Sequence, residues 1–377
     1  TTTTAMVGVI FERAGLDPTV VVGGESANFG GTARAGSSRW AIAELDESDG
    51  SFLRFSPHFA LITNIEADHL DHYGTFESIL SAFRKFAGQV AHGPVVCWDD
   101  PGVKQMMSGE RPSSVVRYAV SSADAEYCAT GVSLTAHGSR FTVVARGQEI
   151  GEVDLPAAGV HNVSNALGAI ALAVEAGLDP AVCCSALADF RGVARRLTIR
   201  GEWCGVLVVD DYAHHPTEIG AALQVGRLWA NERGGRLVCV FQPHRYTRTA
   251  ALARQFGPAF AAANSVIVTG IYAASEQVIE GVTGEMIAES ASDAGHPDVR
   301  YISDMNEVAS LLSAEVKQRD VVMTIGAGNV SKVGDQLRDC LEGRSALAAE
   351  VVSCGQTGRT GQTSPETPVE GRAQCRQ

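Results

Sequence analysis

The sequence predicts an α/β protein with two layered units. Three observations point there. Short apolar runs such as Trp40 to Glu44, Phe59 to Ile65 and Val206 to Val209 end in polar clusters, as buried strands of a mostly parallel sheet do. After Gly201, runs of strand character alternate with helix-length segments, the pattern of parallel strands joined by right-handed crossovers. The 377 residues exceed one average domain, and 45% apolar content is enough for two cores.

Thr2 to Ala14 has helical spacing and stops at Gly15. Strands follow at 40–44, 59–65 and 95–98, the last entered through Pro94. From Tyr127 to Val153 apolar and polar residues alternate between glycines, which predicts a small antiparallel excursion. His161 to Glu175 reads as a long helix closed by Gly177, and the first unit ends near Arg196. The second unit reads as strand 206–211, helix 216–233, strand 236–242, helix 247–263, strand 265–271, strand 299–302, helix 305–318 and strand 320–325. Residues 344–377 are rich in Gly, Ser, Thr, Pro and Gln and are expected to be a disordered tail.

A net charge of −13 argues against a nucleic-acid or anionic-membrane surface, so anionic ligands must be held by local clusters. Nine cysteines without zinc-ribbon spacing suggest reduced thiols, with Cys183-Cys184 filling a core. No run approaches the ~18 apolar residues of a membrane span, and no signal peptide is read, so a cytoplasmic location is expected without membrane insertion. Oligomeric state is not legible.

Chemistry gathers at strand ends. Asp210-Asp211-Tyr212-Ala213-His214-His215-Pro216-Thr217 crowds carboxylates, imidazoles and a phenol behind an apolar run, where open α/β sheets collect ligands. Glu44, Asp46, Glu47 and Asp49 put four carboxylates within six residues, a set that suits Mg²⁺ or simply a solvated acidic loop. Asp68, His69, Asp71 and His72 superficially resemble half of a binuclear metallohydrolase signature, but the upstream histidines are absent; a single oxygen-rich metal site with one imidazole remains. His161, Asn162 and Asn165 open a helix and could offer carboxamides to an adenine edge or merely cap the helix. Arg245 and Arg248, three apart, could clamp a carboxylate or phosphate, and Gly326-Ala327-Gly328 is a weak anion-loop signal.

Together these segments resemble the ATP-dependent Mur ligases of peptidoglycan synthesis. The carriers, in order over about residues 1–340, are TTTTAM, AELDESDGSF, TNIEADHLDHYG, HNVSN, Arg195-Arg196, DDYAHHPTE, QPHRYTRT and GAGNVSK. Eight ordered matches are far more specific than any one. The resemblance implies an incomplete P-loop-type ATPase central domain over 1–198, then a Rossmann-like C-terminal, amino-acid-binding domain over 199–343. It implies ATP and Mg²⁺ as cofactors and, for the branch it fits best, joining of L-alanine to UDP-N-acetylmuramate through an acyl phosphate. By the same likeness Thr1, Glu44 and His69 are metal ligands, and Thr1, Thr2, His161, Asn162, Asn165, Arg195 and Arg196 bind nucleotide. Tyr212, His214, Arg245 and Arg248 face alanine and the transition state, with His214 or Asp211 as the base.

The family P-loop reads Gly-Thr-His-Gly-Lys-Thr-Thr-Thr, and the chain opens on Thr1 beyond its lysine. The reading therefore expects a cut-off start, an absent domain of roughly 100–150 residues, and an inactive or nearly inactive chain. Two alternatives stand beside it: a murein tripeptide recycling ligase, and a metal-dependent hydrolase using Asp68, His69, Asp71 and Asp210.

Overall fold

The computed structural model describes residues 1–108 and 114–343; the expected tail over 344–377 lies outside them. Helix α1 (Thr2–Arg13) buries Ala5, Met6, Val9 and Ile10, spaced to share one face, and ends before Gly15, whose φ of 77° suits a residue without a Cβ. Strands β1 (Thr19–Ser26) and β2 (Gly31–Arg34) form an antiparallel pair, with β3 (Ala41–Ala43) parallel to β1. The sequence reading contains β3 but misses β1 and β2. Gly23-Gly24 blunts the strand signal of β1, and the structure gives Gly23 a reason: the Glu44 carboxylate fills the space a Cβ would need.

A second sheet runs β4-β5-β6-β7-β8-β9. Strands β4 (Ala60–Ile62), β5 (Pro94–Cys97), β6 (Val116–Ala119) and β7 (Tyr127–Leu134) are parallel, and β8 (Ser139–Ala145) and β9 (Gln148–Leu155) complete the expected antiparallel excursion. Between β4 and β6 the chain forms α2 (Leu70–Tyr73), α3 (Phe76–Gly88) and α4 (Pro101–Met107). Ile79, Leu80, Phe86, Val103 and Met106 from α3 and α4 cover one face with Ile62 and Val96. The other face packs on α1, α5 (Val160–Glu175) and α6 (Pro180–Ala186). Cys183 and Cys184 fill that core, and the seven cysteines among the described residues are free thiols.

The third sheet is ordered β10-β11-β15-β12-β13-β14. Its strands are β10 (Thr198–Trp203), β11 (Val206–Asp211), β12 (Leu237–Phe241), β13 (Ser265–Thr269), β14 (Val299–Ile302) and β15 (Val321–Ile325). All are parallel except β10, an antiparallel edge that the sequence reading lacks. One face is covered by α7 (Pro216–Arg233), α8 (Tyr246–Ala259) and α9 (Glu285–Asp293), through Leu223, Trp229, Phe256 and Ile287. The other is covered by α10 (Met305–Glu315) and a helix over residues 331–343, through Val308, Leu312, Val333 and Leu337. Every residue of β11, β12, β13 and β15 is buried, which is why these strands read as continuous apolar runs.

The strand order sets the site. The chain leaves β11, crosses over the position later filled by β15 and returns as β12, so Asp211, Ile325 and Phe241 end in register on neighbouring strands. Three polar segments therefore emerge side by side at carboxyl ends.

Helix α8 carries one of these segments, so its seating on α9 matters. A Cβ at Gly257 would collide with the Ser290 carbonyl of α9, whereas one at Gly88, the end of α3, meets nothing within 4 Å. Gly257→Ala should cost about 1–3 kcal/mol, read as a lower urea or thermal midpoint. Gly88→Ala should be neutral or stabilising by up to about 1 kcal/mol.

Candidate functional site

At the end of β11 both aspartates are held by hydrogen bonds. Asp210 is buried and accepts Thr324 Oγ1 at 2.8 Å and Arg195 Nε at 3.0 Å, while Arg195 Nη2 donates to the Gly326 carbonyl at 2.6 Å. Arg195 thereby bolts the ends of β11 and β15 together, leaving Arg196 as the less committed member of the pair. Asp211 accepts one backbone N–H on each oxygen, Leu197 at 2.7 Å and Ala213 at 2.8 Å. Burial pushes its carboxyl up to about 6 against those two donors. With both oxygens engaged, Asp211 is placed to hold the turn; of the two bases the sequence offered, His214 has the freer nitrogen. The guanidiniums of Arg195 and Arg196 both lie over the Tyr212 ring, 5.0 and 5.3 Å from its centroid.

His214 contacts the Tyr212 carbonyl through Nδ1 at 3.1 Å. A carbonyl only accepts, so Nδ1 carries the proton and Nε2 keeps a lone pair. Burial holds the ring below its ordinary value despite Glu218, so it is neutral at neutral pH. Glu218, which sequence reasoning left without a role, organises this turn. Its Oε2 accepts the backbone N–H of His214 at 2.9 Å and of His215 at 3.2 Å, and Oε1 lies 3.9 Å from Arg196. An acid two residues after His-Pro at a strand-to-helix turn is a capping signal that could have found it. Burial resists ionisation of Glu218, but His214, Arg196 and the two backbone donors outweigh it and keep it below the usual range.

At the end of β12, His244 stacks on Tyr272 with centroids 5.7 Å apart and lies 5.8 Å from His214. Its Nδ1 accepts from Arg248 Nη1 at 3.2 Å, and burial, with His214 and Arg248 adding, pushes the ring down to about 4. Arg245 and Arg248 do face one way, toward the segment after β4: Arg248 meets Asp68 at 3.0 Å, Arg245 meets Asp71 at 3.5 Å, and His215 Nδ1 lies 2.6 Å from Glu66.

Across the cleft the acidic loop divides. Asp46 and Asp49 accept from Ser48 N at 2.8 Å and Ser51 N at 2.9 Å, ordinary turn bonds. Glu44 instead accepts Thr1 Oγ1 at 2.7 Å and Gly23 N at 2.7 Å beside the N-terminus of α1, where Thr2 begins the helix. His69, in a left-handed conformation with φ 54°, lies 3.4 Å from Glu47 and 3.7 Å from Asp68. The predicted metal ligands thus form two contact sets, Thr1 with Glu44 and His69 with Glu47. Among the described residues no three His, Cys, Asp or Glu side chains converge as a metal cluster. The hydrolase carboxylates fare no better, because Asp68 and Asp71 are paired with arginines and Asp210 with Arg195.

At α5, Asn162 is buried and donates to the Ala158 carbonyl at 2.8 Å, so its amide serves the turn rather than a free edge. Asn165 and His161 remain partly exposed; burial and the Arg196 cation push His161 down to about 4.

Residues 1–173 match the Mur ligase middle domain, and residues 195–328 match the Mur ligase, glutamate ligase domain. The chain belongs to the Mur ligase family. It is 41% identical over 340 residues to a UDP-N-acetylmuramate–L-alanine ligase of Pelotomaculum thermopropionicum, covering 89% of this chain and 73% of that one. To the protein of the same name in Gloeobacter violaceus it is 43% identical over 337 residues, covering 89% and 71%. The solved UDP-N-acetylmuramate–alanine ligase of Thermotoga maritima aligns with a TM-score of 0.73 at 29% identity, over 91% of this chain and 73% of that one. Mur ligases are ATP-dependent enzymes that form amide bonds. No described helix of this family member is long and apolar enough to cross a membrane.

Asp211 gives the site a pH signature. Its folded value of about 6 lies above the unfolded 3.8, so the folded state holds the proton more tightly. Its contribution is fully present below the unfolded value and is lost as pH rises toward about 6. Asp211→Asn should remove a slope of up to about 1.4 kcal/mol per pH unit in that window, read by comparing urea midpoints of both proteins across it. An unchanged slope would contradict a raised carboxyl.

Proposed function

We propose that this Mur ligase joins L-alanine to UDP-N-acetylmuramate in the cytoplasm, using ATP and Mg²⁺. One observation carries the reading of the site: the turns after β11 and β12 bring Tyr212, His214 and the Arg245–Arg248 turn together, and Arg248 meets Asp68 in the segment after β4 that holds His69. The identity of 41–43% to proteins named for this reaction supports the alanine-adding branch. The murein peptide ligase of Psychrobacter arcticus, at 21% identity, shares the fold.

In this reading the γ-phosphoryl group of ATP passes to the muramoyl carboxylate and ADP departs. The alanine amine then attacks the acyl carbon, inorganic phosphate leaves, and the amine loses a proton. His214 Nε2 accepts that proton, its neutral ring oriented by the bond from Nδ1 to the Tyr212 carbonyl. The Arg245–Arg248 turn meets the amino acid's carboxylate. Arg196, held over Tyr212 and near His161, faces phosphate. Thr1 and Thr2 at the start of α1 suit phosphate oxygens, and Asn165 with His161 lines the adenine side. Glu44 and the Thr1 hydroxyl present the adjacent hard oxygens that Mg²⁺ prefers, with His69 on the opposite strand end. When bound, Mg²⁺ neutralises phosphate charge.

The test is phosphate release with ATP, Mg²⁺, UDP-N-acetylmuramate and L-alanine, by this chain preceded by the P-loop and the N-terminal domain that the family resemblance implies. Release should require L-alanine, and His214→Ala should lower kcat by about 10²–10⁴-fold. Because burial holds His214 below its ordinary 6.5, the acid limb of kcat should have its midpoint below that value. Release indifferent to L-alanine would overturn the proposal.

A further inference from the structure

Arg245 and Arg248 share one turn at the start of α8, yet their surroundings differ. The Arg248 side chain is 6% exposed, and Nε and Nη2 donate three bonds to Asp68 at 3.0 to 3.1 Å. Its Nη1 is directed at His244, 3.2 Å from Nδ1 and 3.4 Å from the carbonyl. A guanidinium has only donors, and both edges of this one are in use. The Arg245 side chain is 35% exposed and makes a single 3.5 Å contact with Asp71. An incoming carboxylate could take Arg248 only by displacing Asp68, whereas Arg245 has an open edge.

Asp68 belongs to the segment after β4 and Arg248 to the segment after β12, 180 positions along the chain. Asp68 follows a strand of the second sheet and Arg248 sits on the helix that follows a strand of the third, so the pair joins the two halves of the molecule. Asp68 Oδ1 also accepts the backbone N–H of His69 at 2.8 Å, which ties the left-handed turn at His69 to the same contact. His215 beside Glu66 flanks it on the same seam. A fork-to-carboxylate pair with low exposure is the geometry in which charge pairing is strongest and most directional.

We infer that Asp68 and Arg248 form a latch that positions the two halves of the site, and that Arg245, not Arg248, receives the carboxylate of the incoming amino acid. The first part stands on geometry alone; the assignment of Arg245 rests on the function proposed above. Asp68 and Arg248 are thus positioning residues. Loss of either partner lets the seam open and hydrate, so the other charge escapes burial without unfolding the chain.

The latch is tested on the chain itself by small-angle scattering and by amide exchange over 66–73 and 244–250. Asp68→Asn and Arg248→Lys should each raise the radius of gyration and speed exchange in both segments, with the double variant no worse than either single one. Asp68→Glu should recover part of the protection. Arg245→Lys should leave scattering and exchange unchanged. In the version that carries the P-loop and the N-terminal domain, Asp68→Asn and Arg248→Lys should lower kcat by on the order of 10–10²-fold with the KM for L-alanine within about 3-fold. Arg245→Lys should raise that KM by about 10-fold or more. Scattering and exchange in Asp68→Asn equal to the unsubstituted protein would overturn the latch. A KM rise in Arg248→Lys matching that of Arg245→Lys would overturn the division of labour. If the unsubstituted version shows no alanine-dependent turnover, the functional reading has failed, while the substrate-free measurements still decide the latch.

Discussion

A parallel strand buried on both faces has nowhere to place polar side chains except at its ends, and β11, β15 and β12 are three such strands side by side. Everything in the second half of the site follows from that pairing. The register that sets Asp211, Ile325 and Phe241 level brings the turns beginning at Tyr212, Gly326 and Gln242 together. The turns then lock one another. Arg195 ties Asp210 to the Gly326 carbonyl, and Gln242 accepts Val330 N at 3.1 Å while donating to Asn329 at 2.8 Å. The glycine-rich turn after β15, which by sequence resembled an anion loop, is here part of the frame that holds the other two turns.

Within this frame, burial decides protonation and pairing decides which burial is tolerable. Asp210 is buried but matched to Arg195 and the Thr324 hydroxyl. Asp211 is buried with hydrogen bonds from two backbone N–H groups, and burial pushes it up to about 6. Glu218 keeps its charge because the Arg196 cation and the backbone N–H groups of His214 and His215 face it. Burial, with nearby guanidiniums adding, drives His161 and His244 down to about 4. The result is a cleft in which arginines supply cations and the imidazoles of His161, His214 and His244 stay neutral. That combination suits binding of phosphate and carboxylate groups while leaving a base for an amine.

Much of the fold was legible because hydrophobic period and length agree wherever an element is buried. Helix α7, strand β11 and strand β14 fall within the spans read from the sequence, as do α1 and the β7–β9 excursion to within a few residues. The elements the reading lacks include α3, with its marked apolar face, and α4, α6 and β6, as well as two with weak or mixed patterns. Strand β10 is a half-exposed edge interrupted by Gly201, and α9 buries only Ile287, Ala288 and Ala291. In strand β1 Gly23 lets the backbone pass close to Glu44 and Gly24 lies against Val193 and Thr1, requirements invisible until the partners' positions are known.

By itself the sequence determined which segments carry chemistry, since polar clusters behind apolar runs and eight motifs in family order are local properties of the chain. It also determined the spacing that puts Arg245 and Arg248 on one turn and His214 at a helix entrance. What it left open was every pairing between distant segments. Only the tertiary structure showed that Arg195 braces strand ends while Arg196 faces the cleft, that Asp46 and Asp49 merely cap turns, and that Asp68 closes on Arg248 across 180 positions. The physical reason is that a charged group's role is set by which opposite charge or backbone donor reaches it and how much water both lose. Those quantities depend on packing between segments rather than on residue type or spacing.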